Sequence, residues 1–432
     1  MATVKAFPAL RFTEKSGDIS KNVCPPYDIV NDTERQQYIS HSENNIIRLE
    51  KPIGENAYND AKDLYLEWRK QGIIDTDEKC GIYAYEEEFE VFDTVKKFKG
   101  IFVRVKLEEF EKGIVLPHEE TLSKAKEDRF NLMCATYCNF SPIYCMYTDA
   151  DRNITSRIED FTKGKPEIEF TAPDGVIQRL WITENESDIE YLQKAFQTKQ
   201  LFIADGHHRY ETALRFRNKL ISDGVILDEN HPANFVEMFL VDMENDGLVV
   251  FPTHRIIKGL ESFDEKVALE KIKEYFDVCE IEEKDVEKSL LENVENKAFV
   301  MCTKDEKFSL LTMKNDGKAK DKINQMNPSK AESYKELDVT VLHSLILENI
   351  LGIDKENMAK QINLSYTRSI DEAKMSVKEN DVNCAFLINA TKVSQIKDVA
   401  LAGEKMPQKS TYFYPKLITG LVMNQLLPYE NI

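Results

Sequence analysis

The sequence predicts an α/β (or α+β) chain built on a mixed sheet, and three observations carry that expectation. Strand-like and helix-like periods alternate through the second half of the chain, which favours packed layers of both kinds over an all-α or all-β fold. The run Leu201-Phe202-Ile203-Ala204 reads as a short buried strand that breaks at Asp205-Gly206 into a helical pattern. The length, 432 residues, corresponds to two or three domains at about 150 residues each.

The elements can be justified in chain order. Ala61, Leu64, Tyr65 and Trp68 recur at helical spacing, and Gly72 is a natural stop. Ile101, Val103 and Val105 alternate with Phe102 and Arg104, the period of a strand. Ile189, Leu192 and Phe196 mark a helix that starts near Ser187. After Gly206, the residues Tyr210, Ala213, Leu214, Leu220 and Ile221 mark another. Leu269, Ile272 and Phe276 suggest a charged amphipathic helix. Two strands follow, Ala298–Cys302 and Phe308–Met313, around a turn at Asp305-Glu306. Residues 314–330 are polar and read as loop, and 341–351 as a helix stopped by Gly352. A strand is expected at 385–388 and a helix at Val393–Leu401. The expected division is an N-terminal α/β subdomain (1–165), a core carrying the Asp205 turn (166–260), a small α/β insertion (261–330) and a C-terminal part of the core (331–432).

Composition narrows the function. Seventy-six acidic against 57 basic residues leave a net charge of −19. Such a chain repels nucleic acid and anionic membranes unless one face is locally basic, and no Lys/Arg block supplies one. No apolar run approaches the roughly 18–20 residues of a membrane span. The first dozen residues lack the apolar stretch of a signal peptide. The eight cysteines are scattered, as expected for reduced thiols in a cytoplasmic protein. These features fit a small-molecule ligand, with neither nucleic acid nor membrane as partner; an anionic substrate, which the site residues below suggest, would need a local positive pocket. They leave the oligomeric state open.

The chemistry concentrates in four places. Asp205-Gly206-His207-His208-Arg209 has the layout of an anion site: a strand, a tight turn, then a helix start whose backbone N–H groups and dipole favour phosphate. Arg209 can grip phosphate oxygens in bidentate fashion. Asp205 is open to capping the helix, holding Mg²⁺ or acting as a base, and His207 or His208 to moving a proton or accepting a phosphoryl group. The second place is His118-Glu119-Glu120 with Lys124, Lys126, Asp128 and Arg129, which a solvated helix start would also explain. The third is Pro252-Thr253-His254-Arg255, after an apolar run. The fourth is Lys409-Ser410-Thr411 followed by Tyr412-Phe413-Tyr414. No Gly-x4-Gly precedes that Lys-Ser-Thr, so it is not a Walker A loop. Neither Gly-x-Gly-x-x-Gly nor Gly-x-Ser-x-Gly occurs, which removes support for a Rossmann site and a hydrolase elbow. Cys134, Cys138 and Cys145 lack a second pair at zinc-finger spacing, so no resident metal site is expected.

Taken together, these segments resemble the bacterial and archaeal family catalogued as domain of unknown function 1015. The matching runs are Val23-Cys24-Pro25-Pro26-Tyr27-Asp28, Asn45-Ile46-Ile47-Arg48-Leu49, Pro117-His118-Glu119 through Asp128-Arg129, Ala204 through Arg209, Pro252 through Arg255 and Lys409 through Phe413. The Asp-Gly-His-His-Arg turn is also similar to the nucleotide-binding turn of the ParB/sulfiredoxin superfamily, which includes ADP-dependent free-serine kinases. Family members are often encoded beside the serine-pathway dehydrogenase and aminotransferase. The resemblance implies a ParB/sulfiredoxin-like strand–turn–helix and phosphoryl transfer on phosphoserine or serine, as phosphatase or phosphotransferase. It implies a nucleotide (ADP, AMP or ATP), leaves Mg²⁺ open, and offers one alternative: a ParB-like nucleotide-binding regulator without turnover. In this reading Gly206 and Arg209 hold the phosphate and Asp205 or Glu119 handles the hydroxyl proton. His207, His208 or His118 serves as acid, base or phosphoryl acceptor. Arg48 and Arg255 meet the substrate carboxylate. Lys124 and Lys409 neutralise remaining charge, with Arg129, His254, Ser410 and Thr411 as further contacts.

Overall fold

Alternating apolar residues lay down a nine-stranded mixed sheet in the computed structural model. The structure describes residues 1–121, 123–225, 228–304, 307–379 and 381–427, apart from the side chains of 123 and 124. The chain forms two compact units. One takes 1–117, 121–249 and the stretch from Pro415 onward; the other takes 118–120 and 250–414.

In the first unit the elements are β1 (Val4–Lys5), α1 (Ala57–Gln71), β2 (Ile82–Val91), β3 (Thr94–Lys106), β4 (Val115–Leu116), α2 (Ser123–Thr136) and β5 (Ile143–Tyr147). They continue with β6 (Ile168–Thr171), β7 (Ile177–Thr183), α3 (Glu186–Phe196), β8 (Leu201–Asp205), α4 (His207–Ser222) and β9 (Phe235–Asp242). The strand order is β4-β8-β5-β9-β3-β2-β7-β6, with β1 beside β3. The β8–β4 and β9–β5 pairs are parallel and the other neighbours antiparallel. Ile101, Val103 and Val105 of β3 share a core with Ile203 of β8 and Tyr210, Ala213 and Leu214 of α4. On the other face Tyr85, Phe98, Phe102 and Phe239 form an aromatic cluster. Gly100 permits it: a Cβ there would lie 2.4 Å from Leu240 O and 2.5 Å from the Phe239 ring.

The second unit holds β10 (His254–Lys258), α5 (Glu265–Ile272), β11 (Phe276–Ile281), β12 (Ala298–Cys302), β13 (Phe308–Met313) and α6 (Lys318–Met326). A π-helical stretch (Leu342–Glu348), β14 (Leu364–Thr367), α7 (Ile370–Ser376), β15 (Val382–Ile388) and α8 (Val393–Leu401) complete it. Its six-stranded sheet runs β11-β13-β12-β15-β10-β14, antiparallel throughout.

The mixed α/β class holds, and α1, β3, α3, β8, α4, β12, β13, β15 and α8 fall on their predicted patterns. Four expectations change. Phe276 opens β11 rather than closing α5. Ile221 is exposed, because α4 buries its opposite side through Phe216 and Leu220. Residues 318–326 are helical; only Ala319 and Ile323 are buried there, too few to show a period. The expected breaks at 165, 260 and 330 fall elsewhere: β7 pairs with β2 across the first, and the 261–330 strands belong to one sheet with β10 and β15. The Asp305-Glu306 turn lies outside the described residues.

Candidate functional site

The first group of candidates is built where β8 runs into α4. The β8–β5 register slips between Ile203 and Asp205, an irregularity of the kind that re-aims a strand's last side chain. Gly206 then takes φ +93° and stands at the N-cap of α4, with no side chain capping the helix there. The positive end of the helix dipole falls at this turn. Asp205 is gripped from two directions: Lys416 Nζ lies 2.9 Å from Oδ1 and Arg209 Nη2 lies 2.8 Å from Oδ2. Burial pushes the Asp205 carboxyl up, but Lys416 and Arg209 together outweigh it and hold the group well below the ordinary carboxylate range. Two cations on one carboxylate leave the turn with a net positive charge. Arg209 also donates through Nη1 to Pro142 O, so its guanidinium is fixed in place.

Behind the turn, a cavity of about 30 Å³ is lined by Arg209, Arg129, Glu50 and Ser141, among others. Arg129 is buried, donates to Glu50 O at 2.7 Å and to Asp128 Oδ2 at 2.6 Å, and lies 3.8 Å from the centre of the Tyr27 ring. Burial raises the Tyr27 phenol to about 12. It also raises the Glu50 carboxyl, against the pull of Arg129. His207 is buried and His208 half-buried. Desolvation lowers the His208 imidazole below its usual value, opposed by Asp28 and Glu211. Glu211 receives Lys126 Nζ at 2.8 Å and Thr121 Oγ1 at 2.9 Å. Thus Asp205, Gly206, Arg209 and Arg129 come together, with His208 on the same helix start. Arg48 instead donates to Glu43 O at 2.6 Å. The Lys124 side chain lies outside the described residues.

The second unit carries the other candidates in two groups. In one, His118 Nε2 is 3.2 Å from Thr411 Oγ1, and the Lys409 N–H donates to Glu119 Oε1 at 3.3 Å. Met406 N–H donates to His118 O, which locks this short strand pairing. Ser410 points back to Pro407 O at 2.5 Å. The other group is enclosed. Arg255 is 0% exposed; it donates to Thr253 O, to Lys409 O at 3.1 Å and to His343 Nε2 at 3.3 Å. His254 Nδ1 accepts from Ile388 N–H at 3.2 Å, so its proton sits on Nε2. Burial first, then the Arg255 charge, lowers the His254 imidazole to about 4. Both residues brace the sheet of this unit.

Sequence reasoning singled out neither Lys416 nor Glu50. Lys416 follows Tyr412-Phe413-Tyr414-Pro415 in the sequence, with nothing to tie it to Asp205, 211 positions away. Glu50 ends the run after Arg48 and reads as surface charge until burial shows otherwise. Among the described residues no group of three His, Cys, Asp or Glu side chains is arranged to hold a metal ion. Both Asp205 oxygens are already met by cations, so a resident Mg²⁺ does not fit there. No described helix is long and apolar enough to cross a membrane.

Comparison with known proteins adds the following. The model of a family described as protein of unknown function (DUF1015) matches residues 4–340. A comparison with curated proteins finds no match. Among solved structures, a free serine kinase variant in complex with AMP is 13% identical with TM-score 0.37, over 77% of this chain and 93% of that one. A conserved hypothetical protein from Pyrococcus furiosus is 16% identical with TM-score 0.35, over 77% and 96%. SbnI with a C-terminal truncation, from Staphylococcus aureus, is 10% identical with TM-score 0.36, over 75% and 87%. Likenesses this slight carry no argument about activity.

Proposed function

We propose that this chain, which belongs to the DUF1015 family of proteins of unknown function, is a phosphoryl-transfer enzyme acting on phosphoserine or serine, with the phosphate held at the start of α4. The observation that carries the reading is the Asp205–Arg209–Lys416 arrangement. It sets two fixed cations beside a helix start that no side chain caps. That is a local positive site in a chain of net charge −19, placed where helix dipole and backbone N–H groups favour phosphate. The similarity of the Asp-Gly-His-His-Arg turn to nucleotide-binding turns supplies the nucleotide as second ligand, AMP or ADP as acceptor and product.

In this scheme the P–O bond to the serine oxygen breaks and a new one forms to water or to a nucleotide phosphate oxygen. The serine oxygen leaves with a proton, and the attacking group gives one up when it is water. Arg209 and the N–H groups of the turn stabilise charge on the transferring group. Asp205 holds the two cations in place; its depressed proton affinity makes it a poor base. His208, half-buried and with its imidazole lowered by desolvation, is assigned to carrying the proton. His207 remains beside it. Arg129, in the same unit, fixes Arg209's surroundings; His118, Glu119, Lys409, Ser410 and Thr411 belong to the second unit and take no part in this scheme. Mg²⁺ enters with the nucleotide, not as a resident ion.

The test is phosphate release from O-phospho-L-serine with Mg²⁺, with and without AMP or ADP. Release without nucleotide marks a phosphatase; phosphate found only on the nucleotide marks a phosphotransferase. Arg209→Ala should lower either rate by about 100-fold, the typical loss of one transition-state donor. No turnover under any condition, with nucleotide still bound, would replace the enzyme by a nucleotide-binding regulator.

A further inference from the structure

The second unit carries a cavity of about 190 Å³, open to solvent on one side, that the proposed phosphoryl chemistry does not use. Its floor combines apolar side chains, among them Met358 and Met406, with buried polar ones. Asn327, His343 and Ser344 line it, and each is less than one-tenth exposed. Asn327 Nδ2 donates to Ser344 Oγ at 3.0 Å. His343 accepts from Arg255 at Nε2, which puts its remaining proton on Nδ1. Burial and the Arg255 charge keep that imidazole neutral. The floor thus offers hydrogen bonds without charge.

The rim is charged with both signs. Glu120 and Glu348 stand with Lys330, Lys355 and Lys405 along the lining, and Lys330 is already paired with Glu404. Lys355 Nζ is drawn to Asn327 Oδ1 at 3.4 Å, over the floor. His343, Ser344 and Glu348 all belong to the π-helical stretch Leu342–Glu348, marked by the bond from Asn349 N–H to Ser344 O. A π-helical turn is rare and is frequently found at functional sites. A purely structural packing of this region would have closed the space with apolar side chains.

We propose that this cavity is a binding site for a small zwitterion of the α-amino acid class. The ligand's ammonium would face Glu348 and Glu120, its carboxylate Lys355, and its side chain or carboxylate oxygens the Asn327–Ser344 floor. The assignment is independent of the phosphate site, since every residue it uses lies in the second unit and none belongs to the Asp205 turn.

The experiment is titration calorimetry of the full chain with the L-amino acids, each at millimolar concentration, with propionate and ethylamine as probes lacking one charge. At least one amino acid should bind and neither single-charge probe should compete with it. Glu348→Gln and Lys355→Gln should each weaken binding by about tenfold, the usual loss for one charge-assisted contact. Arg209→Ala should leave it unchanged. Both substitutions are at the cavity rim, and unchanged melting midpoints would confirm that they fold. The proposal is overturned if no amino acid binds, if binding survives both rim substitutions, or if it is lost in Arg209→Ala instead. The last result would place the ligand at the phosphate turn and leave the phosphoryl reading standing.

Discussion

Two His-Arg pairs adjoin apolar strands in this chain, His208-Arg209 after β8 and His254-Arg255 at the head of β10, and the fold treats them in opposite ways. The first pair opens a helix, where Arg209 finds Asp205 four residues back. The second pair enters a strand covered on both faces, so both side chains are enclosed whichever way they point. Arg255 is given carbonyls, a histidine nitrogen and the face of Tyr366 at 5.4 Å. Burial accordingly lowers its guanidinium to about 10. The dipeptide is the same, but the backbone that receives it decides whether it stands at a helix start or is enclosed in a sheet.

The sharpest way to break this contrast is to remove each arginine in turn. Arg255→Ala should cost about 4 kcal/mol, because Thr253 O, Lys409 O and His343 Nε2 all lose a buried donor. Arg209→Ala should cost about 1 kcal/mol, since Lys416 still answers Asp205. Urea unfolding curves read both. Equal losses would show that Arg209 is as structural as Arg255 and would weaken its assignment to phosphate.

The histidines sharpen the contrast through pH. His254 titrates near 4 in the folded chain against an ordinary value of 6.5. The unfolded chain therefore binds more protons than the folded one between these values, and stability rises with pH across that window. Full stabilisation is present above pH 6.5 and is lost as pH falls toward 4, by about 3 kcal/mol for this residue. His343 shifts in the same direction for the same reason, burial followed by the Arg255 charge. His254→Asn keeps an acceptor for the Ile388 N–H and removes the titration. Its unfolding free energy should fall less than that of the wild type between pH 7 and pH 4.5. Parallel pH profiles would mean that His254 is not the neutral, enclosed group described.

How much of this was legible beforehand follows the range of the interactions. The β8–turn–α4 unit could be read directly, because a strand run, a Gly needing positive φ and an amphipathic period lie next to each other in sequence. The Arg129 side chain was singled out, but its partner Glu50 was not, since the pairing spans 79 positions and depends on burial. Helix α6 was missed because two buried residues in nine do not make a visible period. The division near residue 165 failed for the same reason: nothing local announces that β7 returns to pair with β2. Charge patterns alone also could not separate His254-Arg255 from His208-Arg209, for both are short polar runs after apolar ones.

The smallest expected effect tests how rigidly the phosphate turn is held. Gly206 sits at φ +93°, and a Cβ there would meet Arg209 Nε at 3.0 Å. A flexible side chain would swing away from such a contact, and Gly206→Ala would then cost only the backbone strain, about 1 kcal/mol. Arg209 is not flexible in that sense, because Asp205 and Pro142 O both hold its guanidinium. Adding the Cβ should therefore strain those bonds too. The double variant Gly206→Ala/Arg209→Ala should cost less than the sum of the singles, by about 0.5 kcal/mol or more. Strict additivity would mean that Arg209 moves aside freely, and a guanidinium that moves aside freely is not pre-set for phosphate. Sub-additivity would show that the glycine is there to let Arg209 close over the turn.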